Sequence, residues 1–374
     1  MVINSLALNN FRNYISEEIS FSEGINILYG DNAQGKTNVL EAIYMLATTK
    51  SHRGNKDKDI INLESDEGHI KAEIKKREIN YRIDMHLKKS KTKGVAIDRI
   101  PVKKTSQLLG LVNVVLFSPE DLTLIKDSPV ERRRYIDMEL CQLSKIYYNN
   151  LSNYNKILNQ RNNLLKSIYY DKSQMETLDV WDMQLVDYGI KIIKERHNFI
   201  ERINELILSI HKGLTSDKEV LKIKYDKNIS EEEFAKELFL RRDADLKYQT
   251  TQVGPHRDDI SFYINGMNAK IYGSQGQQRT VALSLKLAEI ELVKELIGDN
   301  PILLLDDVMS ELDSTRRDAL LASIDDIQTI ITCTGYDDFI KERLAIDKIY
   351  KVSKGIIHQE NKSDADLKED IDGQ

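Results

Sequence analysis

Tyr29–Asn38 reads YGDNAQGKTN. Within it, Gly30-Asp31-Asn32-Ala33-Gln34-Gly35-Lys36-Thr37 fits G-x-x-x-x-G-K-[ST], the pattern of a phosphate-binding P-loop. The glycines let the main chain wrap a phosphate, and amides at a helix start donate to its oxygens. Lys36 neutralises the β and γ oxygens of a bound ATP, and Thr37 offers a hydroxyl to Mg²⁺. The flanks supply what such a loop needs. INILY before it clusters β-formers, and Val39, Leu40, Ile43, Tyr44 and Leu46 mark the apolar face of a helix after it. An accidental match is expected in roughly 1% of chains this long, and the strand-loop-helix context makes it rarer.

Ile302–Asp307, ILLLDD, reads as a buried strand of a parallel sheet ending in carboxylates. Alone this is a weak signal. Beside a P-loop it assigns Asp306 to a Mg²⁺ shell and Asp307 to orienting the attacking water. A third stretch, Gly273–Arg279 (GSQGQQR), opens a long apolar helix expected over Ser274–Leu296. It reads either as a serine N-cap among flexible glycines or as an anion site built from a hydroxyl and an amide row. Ser310-Glu311-Leu312-Asp313 follows the two carboxylates.

With these residues in hand, SQGQQ looks like the signature motif, and SELD like the D-loop, of the ABC-type ATPases, whose P-loop and signature faces meet across a dimer. The step from Lys36 to Ser274 is 238 residues (274 − 36), a wide insertion of the SMC-like repair kind rather than the compact transporter kind. FRNY at Phe11–Tyr14, SHR at Ser51–Arg53, VLFSPEDLTLIKDSPVERRRYID from Val115, VGPHRDD at Val253–Asp259, YGSQGQQR and LLLDDVMSELD resemble the RecF family. That resemblance implies a homodimer dependent on ATP. Ser274, Gly276, Gln277 and Gln278 of one copy would contact the γ-phosphate held by the other, with Ser310 and Asp313 in the D-loop and Arg12 near the nucleotide. It also implies a weak ATPase with ATP and Mg²⁺ as cofactors, binding of gapped DNA or single-strand to double-strand junctions, RecR and RecO as partners, and support for RecA loading.

Three departures from the broad ABC pattern stand out. Ser118-Pro119-Glu120 occupies the place of a linking Gln, Thr332 or Thr334 stands where many relatives have a switch His, and Asp307 is one methylene shorter than the usual Glu. The shorter reach of Asp307 and the missing imidazole predict loose control of the water and a turnover at or below the low end of the usual range of about 1 to 10³ per second. A small-molecule kinase would leave SQGQQ and SELD without a task. The long insertion and missing Gln oppose a transport ATPase, and a structural SMC tether requires long arms that this chain has no room for.

Composition fits a two-lobed globular chain: 374 residues, 41% hydrophobic and 30% charged. No apolar run approaches a membrane span and the N-terminus lacks a leader pattern, so a cytoplasmic location is expected. Cys141 and Cys333 read as reduced core thiols. Net charge is −6, yet Lys50–Lys104 holds 16 basic against 9 acidic residues. Arg132, Arg133 and Arg134 sit at a helix start, where positive charge is unfavourable, so either DNA phosphates or internal carboxylates must compensate. His52-Arg53 could face nucleotide or DNA. The expected fold is α/β: an ABC-type P-loop ATPase head, with mixed or parallel sheet and helices, from 1–118 with 250–358. An inserted, mainly helical lobe (119–249) ends in a short antiparallel helical hairpin, and 359–374 forms a disordered acidic tail. Ser128-Pro129-Val130-Glu131 reads as a helix start closed by a capping box.

Overall fold

The computed structural model describes residues 1–324, 326–335 and 345–360. Two compact units emerge, one from Met1–Asp121 with Glu289–Gln374 and one from Leu122–Ala288. In the first, a six-stranded sheet runs in the order Ile356–Glu360, Ile346–Ser353, Ile25–Tyr29, Thr329–Cys333, Ile302–Asp306, Val114–Phe117. The last five are parallel, and Ile356–Glu360 caps one edge antiparallel. All five residues of Ile302–Asp306 and of Thr329–Cys333 are buried, as strands covered on both faces must be. The helix Lys36–Thr48 packs on this sheet with eleven of its residues buried.

A second six-stranded sheet in the same unit orders Tyr14–Ser20, Val2–Phe11, Glu67–Lys76, Ile79–Lys88, Gly94–Ile97 and Ile100–Pro101, every pair antiparallel. In Glu67–Lys76 the even-numbered Gly68, Ile70, Ala72 and Ile74 are buried while Glu67, His69 and Glu73 face water, the period-two pattern of a half-covered sheet.

The second unit contains the helices Pro129–Leu143, Lys145–Tyr170 and Leu178–Leu214. At 37 residues the last is about 55 Å long. Leu185, Ile192, Phe199, Ile203, Ile207 and His211, four or seven residues apart, form its buried stripe, with Leu206 and Ile210 half-buried beside it. Leu221–Asp226 is a strand that the sequence reading passed over, pairing with Asp259–Ile264. Asn265 and Gly266 follow with φ of 49° and 80°, the left-handed pair that a two-residue hairpin requires. Residues 250–288, placed by sequence with the ATPase head, cluster by contact with 122–249. Ser128 and Pro129 do start a helix, but the Ser128 side chain makes no cap bond, so the expected box is not closed there. Gln359 and Glu360, read as the start of the tail, belong to the last strand; 361–374 lie outside the described residues. Among those described, no helix is long and apolar enough to cross a membrane, and Cys141 and Cys333 are both buried and not joined in a disulfide.

The helical hairpin is riveted by Arg161, which is fully buried. Its guanidinium donates to Asp182 at 2.6 Å, Asp245 at 2.7 Å and the Thr251 hydroxyl at 2.8 Å. Removing one partner of such a network strands the other charges away from water. Arg161→Ala should therefore destabilise this unit by about 3–5 kcal/mol in denaturant unfolding, and Arg161→Leu combined with Asp245→Leu should recover much of the loss.

Candidate nucleotide site

The P-loop follows the C-terminal end of Ile25–Tyr29, the place where parallel sheets receive ligands. Its shape depends on two glycines. Gly30 has φ 145°, and a Cβ there would lie 2.3 Å from the Val352 carbonyl oxygen. Gly35, at φ 121°, would meet the Tyr14 hydroxyl at 2.8 Å. That hydroxyl donates to the Gly35 carbonyl at 3.0 Å and Asn13 Nδ2 to the Gln34 carbonyl at 2.7 Å, so the first hairpin grips the loop from one side. From the other side the amides of Lys354 and Gly355 donate to the side chain and carbonyl of Gln34.

Lys36 curls its ammonium back into the loop, donating to the carbonyls of Gly30 at 2.5 Å and Asp31 at 2.8 Å. Burial lowers its pKa from the usual lysine value, and Asp307 and Asp306 pull it back up. Thr37 Oγ1 donates to Asp306 Oδ1 at 2.8 Å. Thr332, fully buried on the strand between those of the P-loop and Asp306, donates to the same oxygen at 2.7 Å. The Thr332 hydroxyl also accepts the Asp307 amide at 3.0 Å, holding Asp307 at φ 53°, a left-handed conformation costing a non-glycine residue about 1–2 kcal/mol. Burial raises the Asp307 carboxyl above its usual range; Lys36 opposes this, and Asp306 and Glu311 add to it.

These groups line a cleft of about 890 Å³ together with Asn32, Ala33 and the arginines 12 and 53. Arg12 has its guanidinium fixed by both oxygens of Glu41, at 2.8 and 2.7 Å. Burial alone would raise the Glu41 carboxyl, but the Arg12 and Ser51 hydrogen bonds outweigh it and leave Glu41 below the usual range. Sequence reasoning missed Glu41. A carboxylate among the apolar residues of the P-loop helix was the available signal. Arg53, for which nucleotide and DNA were both open, borders this same cleft and donates to Asn38 at 3.2 Å. His52 packs edge-on against Tyr44, and burial pulls its pKa down to about 4, so it is neutral at pH 7.

In the second unit, Ser274 and Gln277 close a reciprocal capping box. The Ser274 amide donates to Gln277 Oε1 at 2.9 Å, and the Gln277 amide to Ser274 Oγ at 3.2 Å. The helix Gln275–Ile297 starts there, with Ser274 exposed. Gln277 Nε2 is anchored on Glu219 at 2.9 Å and Thr280 Oγ1 on the Gly276 carbonyl at 2.9 Å. Gln278 is buried; its amide bonds the Ser274 carbonyl and its side chain the Ala269 carbonyl, so its side chain shapes the loop from inside. In the SELD stretch, Ser310 Oγ donates to the Asp307 carbonyl at 2.9 Å, and Asp313 caps the next helix by accepting the Arg316 amide at 2.9 Å. Of the two readings open for the arginine run, internal pairing is realised for Arg132, buried and bidentate to Asp259 at 2.6 and 2.9 Å. Arg133 donates to the Asp258 carbonyl at 2.6 Å, and Arg134 pairs with Glu131 at 3.5 Å.

A family model for the RecF/RecN/SMC N-terminal domain matches residues 2–358. The DNA replication and repair protein RecF of Lachnoclostridium phytofermentans is 58% identical over 359 residues, covering 96% of this chain and all of the relative. The protein of the same name from Lachnospira eligens is 56% identical over 363 residues, again with 96% and 100% coverage. Among solved structures, the recombination mediator protein RecF-ATP of the RecFOR pathway superposes with a TM-score of 0.90 at 35% identity, covering 96% of this chain and 97% of that one. An Smc head bound to the winged-helix domain of ScpA, at 16% identity and TM-score 0.57, shares the fold. A P-loop beside paired carboxylates, a capped SQGQQ helix start 238 residues (274 − 36) downstream and near-complete coverage by these relatives agree: the chain belongs to the RecF family of SMC-like, ATP-binding DNA replication and repair proteins.

Proposed function

We propose that this chain is an ATP-operated DNA clamp of recombinational repair, and that the terminal phosphate of ATP is what joins two copies. The carrying observation is the convergence of Thr37 and Thr332 on one oxygen of Asp306. The Thr37 and Asp306 oxygens lie 2.8 Å apart, and about 2.9 Å separates neighbouring oxygens in an octahedral shell with bonds of about 2.0–2.1 Å. The pair therefore fits Mg²⁺, which when bound would neutralise charge on the β and γ phosphates. Lys36 would leave its two carbonyls for the same phosphates, supported by the loop amides from Asp31 to Gly35.

Each γ-phosphate would also meet Ser274 and the Gly276–Gln278 loop of a second copy, contacts that vanish once it is cleaved. Asp307 would orient the attacking water from its strained position. With threonine in place of an imidazole nearby, hydrolysis is slow and serves release. Lys89, Lys91, Lys103 and Lys104, exposed on the antiparallel sheet and its hairpins, would contribute salt-sensitive phosphate contacts to duplex DNA at gaps or strand junctions. Family membership supports the remaining steps, cooperation with RecR and RecO and help in loading RecA.

Sedimentation of the purified chain with ATP and gapped DNA separates the parts of this reading. Lys36→Ala should lose ATP binding, dimers and ATP-stimulated DNA binding together. Ser274→Ala should keep monomeric ATP binding and lose the dimer; equal loss of both contradicts a role across the interface. Asp307→Asn should accumulate an ATP-bound dimer, and a monomer at saturating ATP would count against the scheme. Thr332→Val, which keeps the shape but removes the hydroxyl, should lower kcat at least tenfold and weaken Mg²⁺ dependence, with Thr332→Ser restoring both.

A further inference from the structure

The solvent face of the antiparallel sheet carries a cluster that nucleotide chemistry does not use. Glu67 and His69 stand two residues apart on the outer face of one strand, and His86 of the next strand lies directly opposite His69. The two imidazoles stack, with centroids 4.0 Å apart and planes 20° from parallel. His86 Nε2 is 2.6 Å from a Glu67 carboxylate oxygen. One donor atom from each of the three side chains lies within 4.8 Å of the other two. The other cross-strand neighbour of His86 is Gly94, and the space a side chain there would occupy is open. The cluster is therefore framed by rigid backbone and has one uncovered flank.

We propose that Glu67, His69 and His86 form a binding site for one divalent transition metal ion of the zinc type. Two imidazoles and a carboxylate are a recognised zinc donor set, which leaves a fourth position for water. Imidazole selects zinc, copper or nickel over magnesium, so the site is chemically separate from the Thr37–Asp306 pair. The ladder fixes the Cβ positions of His69 and His86, about 4.5–5.5 Å apart for directly opposed residues. Convergence on metal bonds of about 2.0–2.2 Å then requires only rotation of the exposed Glu67 and His69 and the half-buried His86. Glu67 also accepts from Lys88 at 2.8 Å. Lys88 bonds Oε1 of that carboxylate and His86 lies against Oε2, so a metal on this group sets its positive charge beside the ammonium, which opposes binding. The strand begins three residues beyond Glu64 (67 − 64), which borders the nucleotide cleft, so the ion would fix the root of that border.

Titration calorimetry of the full chain with zinc chloride, in excess Mg²⁺, tests this directly. One zinc should bind to the wild-type chain, and His69→Ala and His86→Ala should each weaken it at least tenfold. Lys88→Met should tighten it by removing the competing cation. Zinc should raise the melting midpoint of the wild type and leave that of the histidine variants unmoved. The variants are at the surface, and matching metal-free midpoints establish that they fold; if His86→Ala melts early, His86→Gln replaces it. Undiminished zinc binding by the histidine variants, or displacement of zinc by Mg²⁺ at equal concentration, overturns the proposal.

Discussion

One buried oxygen organises the nucleotide cleft. Asp306 Oδ1 receives the Thr37 hydroxyl from the P-loop helix and the Thr332 hydroxyl from the neighbouring strand. This is possible only because the strand order places Thr329–Cys333 between Ile25–Tyr29 and Ile302–Asp306. The Thr332 hydroxyl reaches both carboxylate-bearing residues at once, the side chain of Asp306 and the main chain of Asp307. Preorganisation of this kind matters because a displacement of about 1 Å at reacting groups can cost about a hundredfold in rate.

Charge in the second unit is directed inward to an unusual degree. Arg132 braces the strand Asp259–Ile264, and Arg196, also buried, donates to Asp137, the Asp258 side chain and the Pro255 carbonyl. Arg161 does the same for the hairpin. Buried charges stay charged only where partners replace water, and each of these has several. In the run Arg132–Arg134, Arg132 and Arg133 are tied to the segment at Asp258 and Asp259, while Arg134 pairs within its own helix.

What the sequence disclosed and what it withheld follow the range of the interactions. The P-loop was legible because its whole pattern lies in eight consecutive residues, and ILLLDD because continuous burial leaves an unbroken apolar run. Thr332 could be singled out by position, but its bonds to Asp306 and Asp307 follow from strand order, which no local pattern encodes. The two helix starts are a sharper case. Ser128 and Ser274 each precede a Glu or Gln by three residues, yet only Ser274 closes the box, since the bond depends on hydroxyl direction and on the Glu219 anchor that steadies Gln277. Glu41 was overlooked because its justification, Arg12, lies 29 residues away.

The close approach of Gly30 to the Val352 carbonyl has a consequence during synthesis. The P-loop needs the strand Ile346–Ser353 as its floor, and that strand emerges 324 residues (353 − 29) after Tyr29. At a translation rate of about 5–20 residues per second, the first glycines wait about 15–65 s for the wall that shapes them. Its other neighbour, Thr329–Cys333, emerges only shortly before, so for most of that time the nascent apolar segment Ile25–Tyr29 has no adjacent strand to pair with, and its protection on the ribosome falls to whatever covers exposed β-formers.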